Sequence, residues 1–531
     1  MATTTFPRLP SDVLQLIFNQ FCLHCQDAFS QSWDDRPLRP AQKRLERQIP
    51  SHKSWYSIDR HTLCSLSLAC RDFRDVAQPI LHHEFALGYG SSWESMEYKW
   101  DGRLASFIRT LARRPDLARL VRVIYIHTRL FRFNTDATRA TNRAVVREAA
   151  QALGIDLPAA WKRRLSTISD DESQDSPEIY RTFLGSYLDD KPDLTAKQER
   201  DLHEAMTVLP LPGWRWMNAE MIATLIAQTP YLQYLSLQGG REWPTCGLPE
   251  SSLRALGISN LPSLKTLDLG VGASIIGLAP RLETLNLLQH SYLGPSTPNM
   301  PNLKTLRLTD ALMTPRELQR LLSACTGGLE AFEYEVVGEG FDYEALDDDD
   351  APPCTQFQVA DAINILRIHK NTLRVLHIHF YDQGFVMNRI PGDTNLREFT
   401  ALQHIFINSP PLFGFGLPVG EKFDDHEILI RFLPPSIVSL AICTNQHCTF
   451  NKKALVNLAN WKIKNPSDFP FLKWINCSSK IKSSSLTSLF ETSGVELSNQ
   501  LRTFSGLKPY LNGPNESSRL QFSNRDSGDE L

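Results

Sequence analysis

The chain has 531 residues, more than one compact core usually holds, so several domains or an elongated repeat array is expected. Apolar residues at 42% and charged residues at 22% are those of a folded soluble protein, and a formal net charge of -3 argues against a general nucleic-acid binder. No apolar run approaches the roughly 20 residues of a membrane span, and Met1 to Leu9 carry no charged-then-apolar signal pattern, so residence in the cytoplasm or nucleus is expected, with no membrane contact.

Residues Phe6 to Phe21 read Phe-Pro-Arg-Leu9-Pro10-Ser11-Asp12-Val13-Leu14-Gln-Leu16-Ile17-Phe18-Asn-Gln-Phe21. Pro10 suits the first turn of a helix and Asp12 its positive end, while Val13, Leu14, Ile17, Phe18 and Phe21 recur at helical spacing. The expected element is a short amphipathic helix with a wide apolar side. A second helical piece runs from Leu63 to Leu81, with Leu63, Leu66, Cys70, Phe73 and Ala77 on one face and a break expected at Pro79. Between them lies a polar insertion at about 23–61.

The opening LPxDVLxxIF and the later LxxLSLACRxFRxVAxPIL resemble the F-box. The resemblance implies a small helical module over residues 1–90 that binds the Skp1-type adaptor of a cullin-RING ubiquitin ligase. It places the adaptor-facing residues at Leu9, Pro10, Val13, Leu14, Ile17 and Phe18, with Leu66, Cys70, Arg71 and Phe73 from the second piece. An apolar surface this wide on so small a module is expected to be only partly buried within it.

Residues 91–215 read as a helical connector. Leu104 to Leu111 reads as a helix followed by the first repeat-like strand over Leu117 to Ile126, and Ala137 to Leu153 as an amphipathic helix. Ser166 to Ser176 is expected to be a polar loop and Thr195 to Leu209 a further helix.

From Tyr231 to Met313 one phrase recurs: Leu232-Gln-Tyr-Leu235-Ser-Leu237, Leu264-Lys-Thr-Leu267-Asp-Leu269, Leu282-Glu-Thr-Leu285-Asn-Leu287 and Leu303-Lys-Thr-Leu306-Arg-Leu308. Pro230, Pro262, Pro280 and Pro301 each stand two residues before the first leucine, so the chain turns and re-enters an extended segment every time. Alternation at the end of the phrase marks a short strand with one buried face, and the strands should be parallel neighbours. A fully buried leucine is worth about 2 kcal/mol, so one repeat cannot offset its chain entropy and stacking is required. Weaker copies begin at Val121, Leu253, Leu329, Leu373, Leu402, Ile437 and Leu472.

This pattern resembles the leucine-rich repeat, which implies an α/β solenoid of parallel strands with outer helices over 216–480 that binds a protein target on its strand face. Where that family commonly places Asn or Cys after the strand, this chain has Leu261, Gly272, His290 and Ala311, so irregular curvature is expected. Pro315 to Cys325 and Phe357 to Lys370 read as outer helices, and Asp347 to Asp350 with Pro352-Pro353 as a solvated loop. Residues 481–531 read as a polar tail, disordered from about 512.

The ten cysteines are scattered and suit reduced thiols. Cys22-Leu-His-Cys25 has half of a zinc-ligand spacing without a second pair, and Cys443, His447 and Cys448 are similarly incomplete, so both read as core or surface residues. His377 and His379 share one face of a strand as satisfied histidines. No GxxxxGK[ST], GxGxxG, GxSxG or HExxH motif occurs, so neither catalysis, metal nor cofactor is expected. The resulting expectation is the non-catalytic substrate-recognition subunit of a Skp1-cullin-F-box ubiquitin ligase, acting by proximity. The alternative is a repeat scaffold acting outside any ligase, its N-terminal helices serving as a cap.

Overall fold

A computed structural model describes residues 9–26, 49–89, 92, 95–99, 102–127, 136–160, 214–238, 250–269, 273–288, 297–309, 313–335, 357–379, 394–408, 426–443, 450–477 and 483–498. Thus the loop expected at Ser166 to Ser176, the helix at Thr195 to Leu209, the Asp347 to Asp350 run and most of the insertion lie outside the described residues. The chain divides between Leu282 and Glu283 into two compact units.

The first unit opens with α1 (Ser11–Phe18), a 3-10 turn (Asn19–Phe21), α2 (Trp55–Ala69) and α3 (Arg71–Leu81). Pro10 ends the extended approach to α1, and its carbonyl accepts from the N–H groups of Val13 and Leu14 at 3.1 Å each. Between α2 and α3, Cys70 turns extended and its Sγ accepts the Phe73 N–H at 3.4 Å, so the second helical piece is two helices folded back on each other. Pro79 does not break α3; it sits in the last turn, where one lost hydrogen bond matters little. Leu14, Phe18, Cys22, Leu63, Ala77 and Ile80 form the core of this group, and the Phe18 ring meets Phe73 edge-on at 5.5 Å.

Among the described residues, four parallel strands follow in chain order: β1 (Glu84–Leu87), β2 (Val123–His127), β3 (Tyr234–Gln238) and β4 (Thr266–Leu269). Helices α4 (Arg103–Arg113), α5 (Pro115–Ala118), α6 (Asp136–Ala152), α7 (Trp214–Gln228) and α8 (Glu250–Ala255) lie between them, with α4, α6 and α7 packed together. Apolar positions fall into files: Phe85, Ile124, Leu235 and Leu267 align, as do Leu87, Ile126, Leu237 and Leu269. The weak copy at Leu253 is corrected, because this segment is helical through Ala255 and buries Leu253 in the helix and Leu256 in the turn after it.

The second unit repeats the scheme with eight parallel strands among the described residues: β5 (Thr284–Leu288), β6 (Thr305–Thr309), β7 (Ala331–Glu335), β8 (Val375–His379), β9 (His404–Asn408), β10 (Ser439–Cys443), β11 (Trp474–Cys477) and β12 (Glu496–Ser498). Between them run α9 (Pro315–Ser323), α10 (Val359–Leu366), α11 (Ile428–Phe432), α12 (Phe450–Lys464) and α13 (Ser484–Thr492). Thr314 and Glu317 close a reciprocal cap on α9, which buries Leu318, Leu321 and Leu322. Within the segment read as a polar tail from 481, α13 buries Leu486 and Phe490, and β12 extends the sheet.

The prolines act through one turn used repeatedly. The N–H of the first leucine bonds the carbonyl three residues back, as in Leu264 to Leu261 (3.1 Å), Leu282 to Ala279 (3.1 Å), Leu303 to Met300 (3.3 Å) and Leu472 to Phe469 (3.3 Å), with Pro262, Pro280, Pro301 and Pro470 second in each turn. Proline fits there because that position needs φ near its own fixed value and no N–H. In the second unit, Gly327 and Gly328 stand just before Leu329, with Gly327 against the Pro301 turn. A Cβ on Gly327 would fall on the Pro301 carbonyl oxygen, and Gly328 has φ +93°. Gly327→Ala should therefore cost about 2–4 kcal/mol, because backbone rather than a flexible side chain must move. A denaturant midpoint shift below about 0.5 kcal/mol would show that the turns separate freely.

Candidate functional site

Helix α1 sorts its apolar residues between two sides. Leu14 and Phe18, one turn apart, are 6% and 3% exposed and lie in the helical core. Leu9, Val13, Leu16 and Ile17 are 55%, 37%, 67% and 45% exposed, and Pro10 is exposed beside them. Thus Leu14 and Phe18, expected on the adaptor side, point inward. The reason is angular: with about 100° between successive residues, one short helix cannot turn all of these side chains the same way. Of the second piece, Cys70 and Arg71 are exposed while Leu66 and Phe73 are half-buried against the core. Leu16 and Leu68, the latter 76% exposed, were not among the sequence-selected residues. The helical spacing of Leu16 from Val13 was a usable signal; Leu68 carried none, since its neighbours Leu63 and Leu66 turn inward.

Each strand also carries residues on the face opposite its leucine file. In the second unit Asn286, Arg307, Glu333, His377, Phe406, Ala441, Asn476 and Ser498 align one beside the next. Arg307 Nε donates to Glu333 Oε1 at 2.6 Å, with both side chains almost fully buried. Burial pushes the Glu333 carboxyl above the usual carboxylate range and the Arg307 charge opposes that push. His377 stacks on Phe406 with ring centroids 4.1 Å apart. In the first unit the corresponding file is Ala86, Tyr125, Ser236 and Asp268. Leu23, Tyr56 and Tyr89 pack against Ala86 and Tyr125, so the ends of the insertion seat the helical group on the opening strands.

A third cluster joins residues that are distant in sequence. After the 3-10 turn, the Gln26 N–H bonds the Cys22 carbonyl at 3.1 Å, closing a single helical turn that sets Cys22 and Cys25 on one side. His83 lies at the junction of α3 and β1, where its carbonyl accepts from the N–H groups of Arg122 (2.8 Å) and Val123 (3.1 Å). His83 Nδ1 is 3.2 Å and His24 Nδ1 3.9 Å from Cys25 Sγ. The ligand atoms of Cys22, His24, Cys25 and His83 all lie within 4.8 Å of one another. The second pair that the sequence reading of Cys22 and Cys25 lacked is thus supplied by His24 and His83. Buried Glu84 borders the cluster, accepting the His24 N–H at 2.8 Å and pairing with Arg60 at 3.3 Å. The Cys22 thiol, hydrogen-bonded to Cys25, draws the Cys25 sulfur down to about 3, with help from His24 and His83 against its burial. The same hydrogen bond, burial and the Glu84 charge push Cys22 upward.

His447 and Cys448, considered with Cys443 as a part-formed ligand set, lie outside the described residues, and so does the side chain of Cys443. Among the described residues no helix is long and apolar enough to cross a membrane. No family model matches this chain, and no curated protein matches it.

Proposed function

We propose that this chain is the substrate-recognition subunit of a Skp1-cullin-F-box ubiquitin ligase, with α1 to α3 holding the adaptor and the strand arrays presenting a protein target. The observation that carries the reading is the split of α1. Its apolar residues outnumber those its own core can take: Val13, Leu16 and Ile17, with Leu9 just ahead of the helix, stay in solvent while Leu14 and Phe18 anchor it. Exposed apolar side chains concentrated on one short helix suit a helical partner that covers them. The F-box-like spacing of the same residues names the adaptor class. Cys70, Arg71 and Leu68 offer further exposed positions from α2 and α3.

The role is positional. A receptor that holds an adaptor at one place and a target at another raises the effective concentration of target lysines near a ubiquitin-charged enzyme. It needs no nucleophile or base of its own.

The test uses the full chain co-expressed with a Skp1-type adaptor. Leu16→Asp with Ile17→Asp should reduce adaptor capture by about 100-fold or more, with an unchanged thermal transition. Capture retained by this variant refutes the assignment, and absence of capture by the unmodified chain leaves the scaffold reading, with α1 to α3 as a cap on β1 and β2.

A further inference from the structure

We infer that Cys22, His24, Cys25 and His83 form a structural zinc site that fastens the end of the first helix to the start of the strand array. The donor set argues for this before any distance does. Two thiolates and two neutral imidazoles around Zn²⁺ sum to zero charge, which is what a partly buried site tolerates. Mixed sulfur and imidazole donors in fourfold array favour zinc over magnesium or calcium, which take oxygen.

The geometry agrees. Tetrahedral Zn–S and Zn–N bonds place sulfur and nitrogen ligands about 3.6 Å apart; the two distances from Cys25 Sγ, 3.2 Å to His83 and 3.9 Å to His24, bracket that edge. Each donor is also held from behind. The turn closed by Gln26 and Cys22 fixes the two sulfurs, backbone hydrogen bonds from Arg122 and Val123 fix the His83 backbone, and the Glu84 carboxylate takes the His24 backbone N–H while Arg60 balances its charge. Such outer contacts hold ligands in position before the ion arrives. Binding releases to solvent the proton that the Cys22 and Cys25 sulfurs share and changes no oxidation state.

A dithiol that closes to a disulfide is the competing use of Cys22 and Cys25, which are free thiols in the structure. It explains two of the four converging donors and leaves both histidines without a part. Zinc explains all four. The ion would also account for how an insertion at about 23–61 is carried without loosening the helical group: Cys22, His24 and Cys25 stand at its entrance, and the fourth ligand, His83, follows α3 at the first strand. This inference is independent of what the exposed face of α1 binds.

The full-length chain, purified under reductant, should contain about one zinc per chain by elemental analysis. The metal-free chain titrated with Co²⁺ should show a thiolate-to-cobalt charge-transfer band and tetrahedral visible bands that saturate at one equivalent. Both should vanish in Cys22→Ser with Cys25→Ser. His83→Cys, which keeps four ligands, should bind one equivalent with the charge-transfer band raised by about half, as a third thiolate joins. Should a variant fail to fold, the metal content and cobalt spectrum of the unmodified chain decide. Absence of zinc together with no cobalt charge-transfer band from reduced thiols overturns the site, as does undiminished zinc in the double serine variant. Loss of two titratable thiols in the unmodified chain without any metal assigns the pair to a disulfide instead.

Discussion

Arg307→Met should remove about 3–5 kcal/mol from the stability of the second unit. Arg307 and Glu333 face each other on β6 and β7 at 2.6 Å with almost no exposure, so truncating the arginine leaves a carboxylate buried without its counter-charge. The effect has a pH signature. Burial already raises the Glu333 pKa, and only Arg307 opposes it. A carboxyl with a raised folded pKa contributes stability that is fully present below its unfolded pKa and is lost as pH rises through the folded one. Removing Arg307 raises the folded pKa further, so the deficit of the variant should shrink on acidification, from about pH 8 toward about pH 5. Denaturant unfolding at both pH values checks this. Arg307→Met combined with Glu333→Leu should recover most of the loss, because a matched apolar pair leaves no charge to solvate. A single variant that costs below about 1 kcal/mol at every pH would mean that water reaches Glu333.

Phe18→Ala should cost the helical group about 3–5 kcal/mol, through the lost burial of an aromatic ring and the cavity it leaves against Phe73, Leu63 and Ile80. Ile17→Ala, one residue earlier, should change stability by less than about 0.5 kcal/mol. The contrast separates two uses of one helix. If the exposed side of α1 is an interface, Ile17→Ala weakens adaptor capture without touching the fold, whereas Phe18→Ala weakens both together. Measured by thermal unfolding of the full chain alongside adaptor capture, equal stability losses at the two positions would mean that Ile17 is as much a core residue as Phe18, and the exposed-face argument would fail.

The strand array bears on the target in a specific way. The file from Asn286 to Asn476 is polar or aromatic except at Ala441, yet most of its members are buried. In the first unit the cover includes Leu23, Tyr56 and Tyr89, residues from the ends of the insertion and the end of β1. Under the proposed function, the positions that read a target are accordingly sought at the strand ends and connecting segments and not along the buried file.

The repeats were legible in the sequence because their cause is local. A leucine pattern of period two, a proline that stops the preceding segment and a recurrence that no single repeat could bury together require parallel neighbours in chain order. That reading gives β2 to β11, the turns at Pro230, Pro262, Pro280 and Pro301, and the buried face of α9. It does not give β1 or β12, whose short segments Glu84–Leu87 and Glu496–Ser498 have too few alternations to show a period and are strands because a neighbour offers its edge. Nor does it give α8, where a leucine phrase falls on a helix. On α1 the sequence shows an excess of apolar residues but not which of them the core claims, since that depends on where α3 lies. The Cys22 and His83 juxtaposition is likewise tertiary: it needs α2 and α3 to fold back across the insertion before two residues 61 positions apart can meet. Composition and period fix what must be buried, while the contacts between distant segments decide which side chains remain for chemistry.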